Sequence, residues 1–292
     1  MRTILLSLLL AANTFAAWQF FPFCHDMPDA RKRNYAEQAA MLKELGYDGV
    51  GHIGLGMVEE RIRSLDAAGL KLFQITMVVN IATNPPYDQK RFKEVLDAVK
   101  GRNVQFLLTM RGGKPSDESL DDRAVAIVRE MADLARDGGS ELLLYPHTND
   151  WVERIEDAVR IAWKVDRPNV GAMFNLCHWL RVSKDRDYRT RLQQAMPLLR
   201  AVSINGADEW DNNPKGWKRY IQPLDSGNFD IAAFLKTLKA LGYRGSIGLQ
   251  CYGIGGDARE HLARSMAAWK RLQQQLGNST PNHPTPTKGT CP

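Results

Sequence analysis

Residues 170–180 read VGAMFNLCHWL. Val170 to Phe174 form an apolar run with no polar alternation, and then Asn175 and His178 arrive within four residues. A strand covered on both faces produces such a continuous run, whereas a strand with one wet face alternates. Three other runs end the same way: LLLYPHT (142–148), AVSINGAD (201–208) and SIGLQCYG (246–253). Polar groups collected at the C-terminal ends of successive parallel strands are how a (β/α) barrel builds a site.

Working outward, strand-like and helix-like segments alternate eight times. The strand readings cover 18–23, 49–53, 70–79, 104–110, 141–145, 170–174, 201–204 and 246–249. Helical segments are expected to begin near Arg31, Val58, Asp88, Asp121, Trp151, Tyr188, Asp230 and Arg259. AEQAAMLKELGYDG carries apolar residues at helical spacing and stops at Gly46. DIAAFLKTLKALGYRG repeats that plan from a capping Asp230 to Gly242. This alternation implies a parallel sheet. The expectation is a single-domain α/β protein, a (β/α)8 TIM barrel spanning residues 17–276. An open doubly wound sheet is the rival, but no GxGxxG follows the first strand to support a dinucleotide site.

The chain has 292 residues, is 44% hydrophobic and carries a net charge of +6. Lys and Arg alternate with Asp and Glu along the helices, so these read as solvated faces rather than a nucleic-acid footprint. Residues 1–16 read as a signal peptide: Arg2 precedes an apolar stretch from Ile4 to Ala12, and Thr14, Ala16 and Ala17 offer small residues for cleavage. A secreted or periplasmic protein with no membrane span is therefore expected. Residues 277–292 (GNSTPNHPTPTKGTCP) read as a disordered tail. Cys24, Cys177, Cys251 and Cys291 match no zinc spacing. A bridge between Cys177 and Cys251 is one reading, and two buried thiols is the preferred one.

The strand ends supply the candidate site residues. In chain order they are His25 and Asp26, His52, Asn80, Arg111, Tyr145 and His147, Asn175 and His178, Ser203 and Asn205, then Gln250 and Tyr252. His147, His178, Tyr145 and Arg111 are the expected catalytic groups. Asn175, Asn205, Gln250, His52 and His25 are expected to bind substrate. Trp210 and Trp217, in the long 207–228 connection, join them, because aromatic rings suit the apolar faces of sugars.

The order of these motifs resembles the sugar phosphate isomerase/epimerase family, with its xylose-isomerase-like TIM barrel. The resemblance runs from about Trp18 to Leu276. The family's successive strand ends carry E-x-H, D-x-x-H, H-x-K-D and a final Glu. The matching segments are Tyr145-Pro146-His147, Asn175-Leu176-Cys177-His178, Ser203-Ile204-Asn205-Gly206 and Gln250. QPLDSGNFD (222–230) is similar to the family's P-L-G-x-G-x-x-D, and GYRGSIGLQ (242–250) to its closing strand.

In that family carboxylates and one imidazole hold a divalent metal. The resemblance places those positions on Tyr145, Asn175, Ser203 and Gln250, none of which is a carboxylate or imidazole. Neutral oxygens bind such cations weakly, so the expectation is no metal and no other cofactor at the family's site. A zinc site built from His25, Asp26, His52, His147 and His178 is the alternative. Near-isosteric replacement keeps the shape of a polar pocket while removing its charge.

The resemblance thus implies an isomerase, epimerase or keto-glycoside lyase, and the leader-like residues 1–16 imply that it is exported. It would take a free sugar, keto-sugar or glycoside as its small-molecule partner and abstract a proton beside a carbonyl. A carbohydrate-binding barrel without chemistry is the second expectation. An apurinic endonuclease, which shares the barrel, would need a metal cluster and a basic DNA-facing surface, and the chain has neither.

Overall fold

The structure is a computed structural model and describes residues 18–25, 29–210 and 216–277. The leader-like residues 1–16, Asp26, and 278–292 of the expected tail lie outside the described residues.

Eight strands form one sheet: β1 (Phe20–Phe23), β2 (Gly49–Ile53), β3 (Lys71–Asn80), β4 (Gln105–Arg111), β5 (Glu141–Leu144), β6 (Val170–Asn175), β7 (Leu199–Ile204) and β8 (Ile247–Gln250). The order is β1-β8-β7-β6-β5-β4-β3-β2, and each adjacent pair is parallel. The first and last strands of the chain therefore lie side by side.

The seam between β1 and β2 is tied differently from the seven ladders. The Asp48 backbone N–H donates to the Phe20 carbonyl at 3.0 Å, and the Phe20 N–H donates to the Asp48 carboxylate at 2.7 Å. Gly51 sits so close to this seam that an added Cβ would lie 2.7 Å from the Phe23 Cβ. The absence of a side chain there lets β1 and β2 approach and nearly closes the barrel.

Alternation along each strand divides the core in two. On β5, Leu142 and Leu144 belong to the large layer between strands and helices, while Leu143 and the following Tyr145 belong to a smaller interior cluster. Phe23, Leu107, Met173 and Ala201 complete that interior from the other strands. It floors the mouth of the barrel.

The outer helices among the described residues are α1 (Tyr35–Leu45), α2 (Val58–Ala68), α3 (Gln89–Ala98), α4 (Asp121–Arg136), α5 (Ile155–Val165), α6 (Leu176–Val182), α7 (Tyr188–Ala195), α8 (Ile231–Ala240) and α9 (Ala258–Gly277). The expected single-domain barrel is what the chain forms. Two helix starts move inward for identifiable reasons. α1 begins four residues after Arg31, because the Asn34 and Glu37 side chains cap each other's backbone N–H groups. α5 begins at Ile155 rather than near Trp151. The Trp151 side chain is buried with its indole N–H donated to the Asp117 carbonyl at 2.7 Å. The Asp157 carboxylate then collects the N–H groups of Glu153 and Arg154.

The largest departure from the sequence reading is α6. Residues 176–182 continue the apolar run of β6 with no turn residue between, so the pattern hides a helix there. Asn175 ends the strand and caps the helix at once, accepting the His178 N–H at 3.4 Å. His178 thereby sits in the first turn of a helix instead of on a strand extension.

Candidate functional site

One cavity of about 430 Å³ opens at the C-terminal mouth of the barrel. That lies within the roughly 300–1,000 Å³ typical of small-ligand sites. Its polar side is built by β4, β5 and α6, through Arg111, Tyr145, His147 and His178. Gln250 and Trp217 also line it. These six expected residues therefore meet in one place.

The segment after β5 is a tight turn. Asp150 donates its N–H to the His147 carbonyl at 2.9 Å, and Trp151 donates to the Met110 carbonyl at 2.8 Å. Asn149 adopts φ +67°, which Asn tolerates better than most residues. The turn brings the buried Asp150 carboxylate to 3.5 Å from His147 Nδ1, and Arg111 Nε donates to both of its oxygens at 3.2 and 3.3 Å. Asp150 was not among the sequence candidates. Its signal was the His147-x-x-Asp150 spacing, which one turn converts into contact.

His147 and His178 lie with ring centroids 4.2 Å apart. Hydrogen bonds assign their tautomers. His178 Nδ1 receives the Thr148 backbone N–H at 3.2 Å, so its proton resides on Nε2. His147 Nδ1 reaches the Thr148 carbonyl at 3.2 Å, so it carries the proton there and leaves a lone pair on Nε2. Burial holds both rings below the ordinary imidazole value. For His147 the Asp150 carboxylate opposes that shift and the Arg111 cation adds to it. For His178, which lies well below, the neighbouring His147 and Arg181 reinforce burial. Both rings are neutral at pH 7, with one offering a lone pair and the other an N–H.

Tyr145 is fully buried, and burial, aided by the nearby thiols of Cys177 and Cys24, pushes its phenol well above the usual range. The phenol keeps its proton. Its oxygen accepts the Asn175 amide at 2.7 Å, which leaves the hydroxyl hydrogen to donate elsewhere. Asn175 thus supports Tyr145 and caps α6; it is not among the residues lining the cavity.

Four other expected binding residues lie apart from the cavity. His52 faces the helix layer, donating Nε2–H to the Gly56 carbonyl at 2.8 Å and meeting Tyr35 edge-on. One residue earlier or later on β2 would have faced inward. His25 is buried outside the cavity lining. The Asn205 amide nitrogen binds the Gly206 and Tyr220 carbonyls at 2.8 and 2.5 Å, anchoring the loop that carries Trp217. Trp210 is 60% exposed and lies under the Arg186 guanidinium, away from the cavity.

The family's metal positions now have their local chemistry. Tyr145 and Asn175 are bonded to each other, and the Gln250 carbonyl oxygen accepts the Tyr252 N–H at 3.0 Å. Ser203 contributes a buried hydroxyl. These neutral donors do not fit a divalent cation that wants carboxylate or imidazole. Among the described residues no group of three or more His, Cys, Asp or Glu side chains is gathered as a metal would need. The alternative imidazole cluster does not assemble there, because His52 turns away. Cys24, Cys177 and Cys251 are buried thiols, so the Cys177–Cys251 bridge is not formed.

A nearly closed ring of parallel strands with its polar groups at the C-terminal mouth defines the class of a TIM barrel. A family model for the xylose isomerase-like TIM barrel matches residues 39–272, and the chain belongs to that family. No curated protein matches the chain. Solved structures similar to it include a 3-keto-D-glucoside 4-epimerase from E. coli, with a TM-score of 0.69 and 18% identity over 87% of this chain and 100% of that one. A D-allulose 3-epimerase from Methylomonas sp. gives 0.67 and 15% over 87% and 98%. A probable 3-DHS dehydratase from Bacillus anthracis gives 0.69 and 14% over 86% and 98%. At such identities the likeness is one of fold.

Proposed function

We propose that this chain is a sugar isomerase or epimerase that moves a proton beside a carbonyl without the family's divalent metal. The observation that carries the reading is the pair of neutral histidines of opposite tautomer on one cavity, with Asp150 behind one of them. His147 Nε2 takes the proton from the carbon next to the carbonyl. The C–H electron pair becomes a C=C bond, and the carbonyl π pair moves onto oxygen. That enolate oxygen accepts hydrogen bonds from His178 Nε2–H and the Tyr145 hydroxyl, which take the part a metal would otherwise play. Protonation of that carbon from the opposite face by a second donor, with His147 passing its proton to solvent, gives an epimer; delivery to the former carbonyl carbon, with the neighbouring hydroxyl passing its proton to the enolate oxygen as the new carbonyl forms, gives an isomer. Asp150 holds the His147 ring and stabilises it once protonated.

The substrate is an uncharged carbohydrate. Among the described residues Arg111 is the one charged side chain lining the cavity, and Asp150 already neutralises it. A phosphate entering there would meet no unpaired cation among those residues. The leader-like residues 1–16 support export, which places a free sugar, keto-sugar or glycoside within reach. N-terminal sequencing of the protein recovered outside the cytoplasm tests that part, and an intact Met1 there overturns it.

The catalytic reading is tested with chelator-treated protein and a panel of keto-sugars in D2O. Deuterium at the carbon next to the carbonyl, followed by NMR, is the expected result. Exchange that disappears on chelation and returns with Mn²⁺ overturns the metal-free mechanism. The second reading is a binding barrel without chemistry, favoured by the loss of every charged group at the four metal positions. Sugar binding with no exchange would establish it in place of the first.

A further inference from the structure

The cavity has a second side that proton transfer does not use. It is built by β2, β3 and β8 and lined by Ile53, Met77, Val78 and Tyr252, with Trp217 and Ile221 facing from the β7–α8 connection. Among the described residues seven large hydrophobic side chains are exposed, and three of them, Ile53 (39%), Val78 (45%) and Tyr252 (47%), line this one cavity. Scattered exposed apolar residues are ordinary, but a cluster rimming a concave site marks a ligand surface. Thr76 and Tyr252 carry the hydroxyls lining this side among the described residues, and Thr109, on neighbouring β4, already donates to the Met77 carbonyl at 3.2 Å. A bare sugar ring presents hydroxyls all round and would leave them unpaired against Ile53 and Val78.

We propose that the substrate is a glycoside whose sugar ring carries an oxo group and whose aglycone is uncharged and apolar, and that Ile53, Val78 and Tyr252 form the aglycone subsite. The inference rests on the carbohydrate reading of the polar side and adds which kind of carbohydrate. The sugar ring lies against His147, His178 and Tyr145. The aglycone projects towards β2 and β3, where an aryl or branched alkyl group covers surface that otherwise faces water. Among the described residues no charged side chain lines that side to select an anionic or cationic aglycone, so the selection is for apolar area and flatness.

The test uses matched methyl and phenyl glycosides of glucose, galactose, mannose and xylose, together with their ring-oxidised keto forms, measured by titration calorimetry on the full chain and on the Ile53→Ser/Val78→Ser double variant. Both residues are partly exposed, so the variant is expected to fold, and a thermal midpoint within a few degrees of the parent checks this. In the parent, the phenyl member of the bound pair is expected to bind about tenfold tighter or more. In the double variant that ratio is expected to fall to about threefold or less. Equal affinity of the two members in the parent overturns the subsite and leaves the carbohydrate reading standing. An undiminished ratio in the variant also overturns it, since the ring then rests elsewhere. Failure of every glycoside in both series to bind overturns the inference together with the reading beneath it.

Discussion

Two pairs of histidines stand near strand ends at the same face of this barrel, and only one pair reaches the cavity. His147 and His178 meet there, each with its proton fixed by Thr148. His52 turns to the helix layer and binds a loop carbonyl, and His25 is packed outside the cavity lining. The residue type is the same, but the placements differ. His52 lies within β2, where parity sends it outward, whereas His147 follows β5 in a tight turn and His178 stands in the first turn of α6. Position near a strand end makes a residue available to a site, and the local backbone that carries it decides whether it takes part.

The sharpest way to break that comparison is His147→Gln. Loss of the base is expected to lower turnover about a hundredfold to ten-thousandfold, measured by the deuterium exchange assay, with the barrel still folded. Retained exchange would remove His147 from the chemistry. Asp150→Asn comes next, with kcat expected to fall about a hundredfold as the ring loses its orientation. Its pH profile separates positioning from packing. Removing the carboxylate takes away the group that raises the His147 pKa and frees Arg111 to push it lower. The acid limb of kcat/KM should therefore move to lower pH, and an unmoved limb would leave Asp150 a merely structural part.

Acid stability sharpens the comparison from another side. His147 and His178 are held below their unfolded value near 6.5, and burial lowers His261 on α9 to about 4. A histidine with a depressed folded pKa is neutral in the native state while the unfolded chain takes up a proton. Its stability is complete above pH 6.5 and is lost as pH falls below it. Each such ring removes up to about 1.4 kcal/mol per pH unit in that window. Urea midpoints should hold constant from pH 8 to 7 and fall steadily towards pH 5, and a flat profile would contradict the buried neutral rings. The smallest effect is expected at His52. His52→Ala should cost about 1 kcal/mol of stability through the lost Gly56 bond, read from urea unfolding, and leave substrate turnover within about twofold. A large loss of turnover would return His52 to the site.

Much of this architecture was legible before any coordinates. The 49–53 strand and the Val58 and Asp121 helix starts appear where the apolar runs put them. What stayed hidden has physical causes. α6 follows β6 without a turn, so an apolar run of one strand and one helix reads as a single element. Asp150 lies beyond the strand end in a four-residue turn, and only the closure of that turn brings its carboxylate to His147. His52 and Trp210 have the chemistry of site residues, but β2 parity and the Arg186 contact place them elsewhere. Residue type and spacing carried the roster of the site, and side-chain direction carried its membership.

The pairing of β1 with β8 has a consequence for the order of events during folding. Phe20 registers against Ile247 and Phe23 against Gln250, so the first strand to emerge from the ribosome must wait for nearly the last. The strands from β2 to β7 can pair with their sequence neighbours as they appear, but the ring cannot close until residue 250 is free. Closure over so long a loop is slow compared with local pairing. The floor of the cavity, to which Phe23 contributes, is therefore completed last, and no partly made chain can carry a working site.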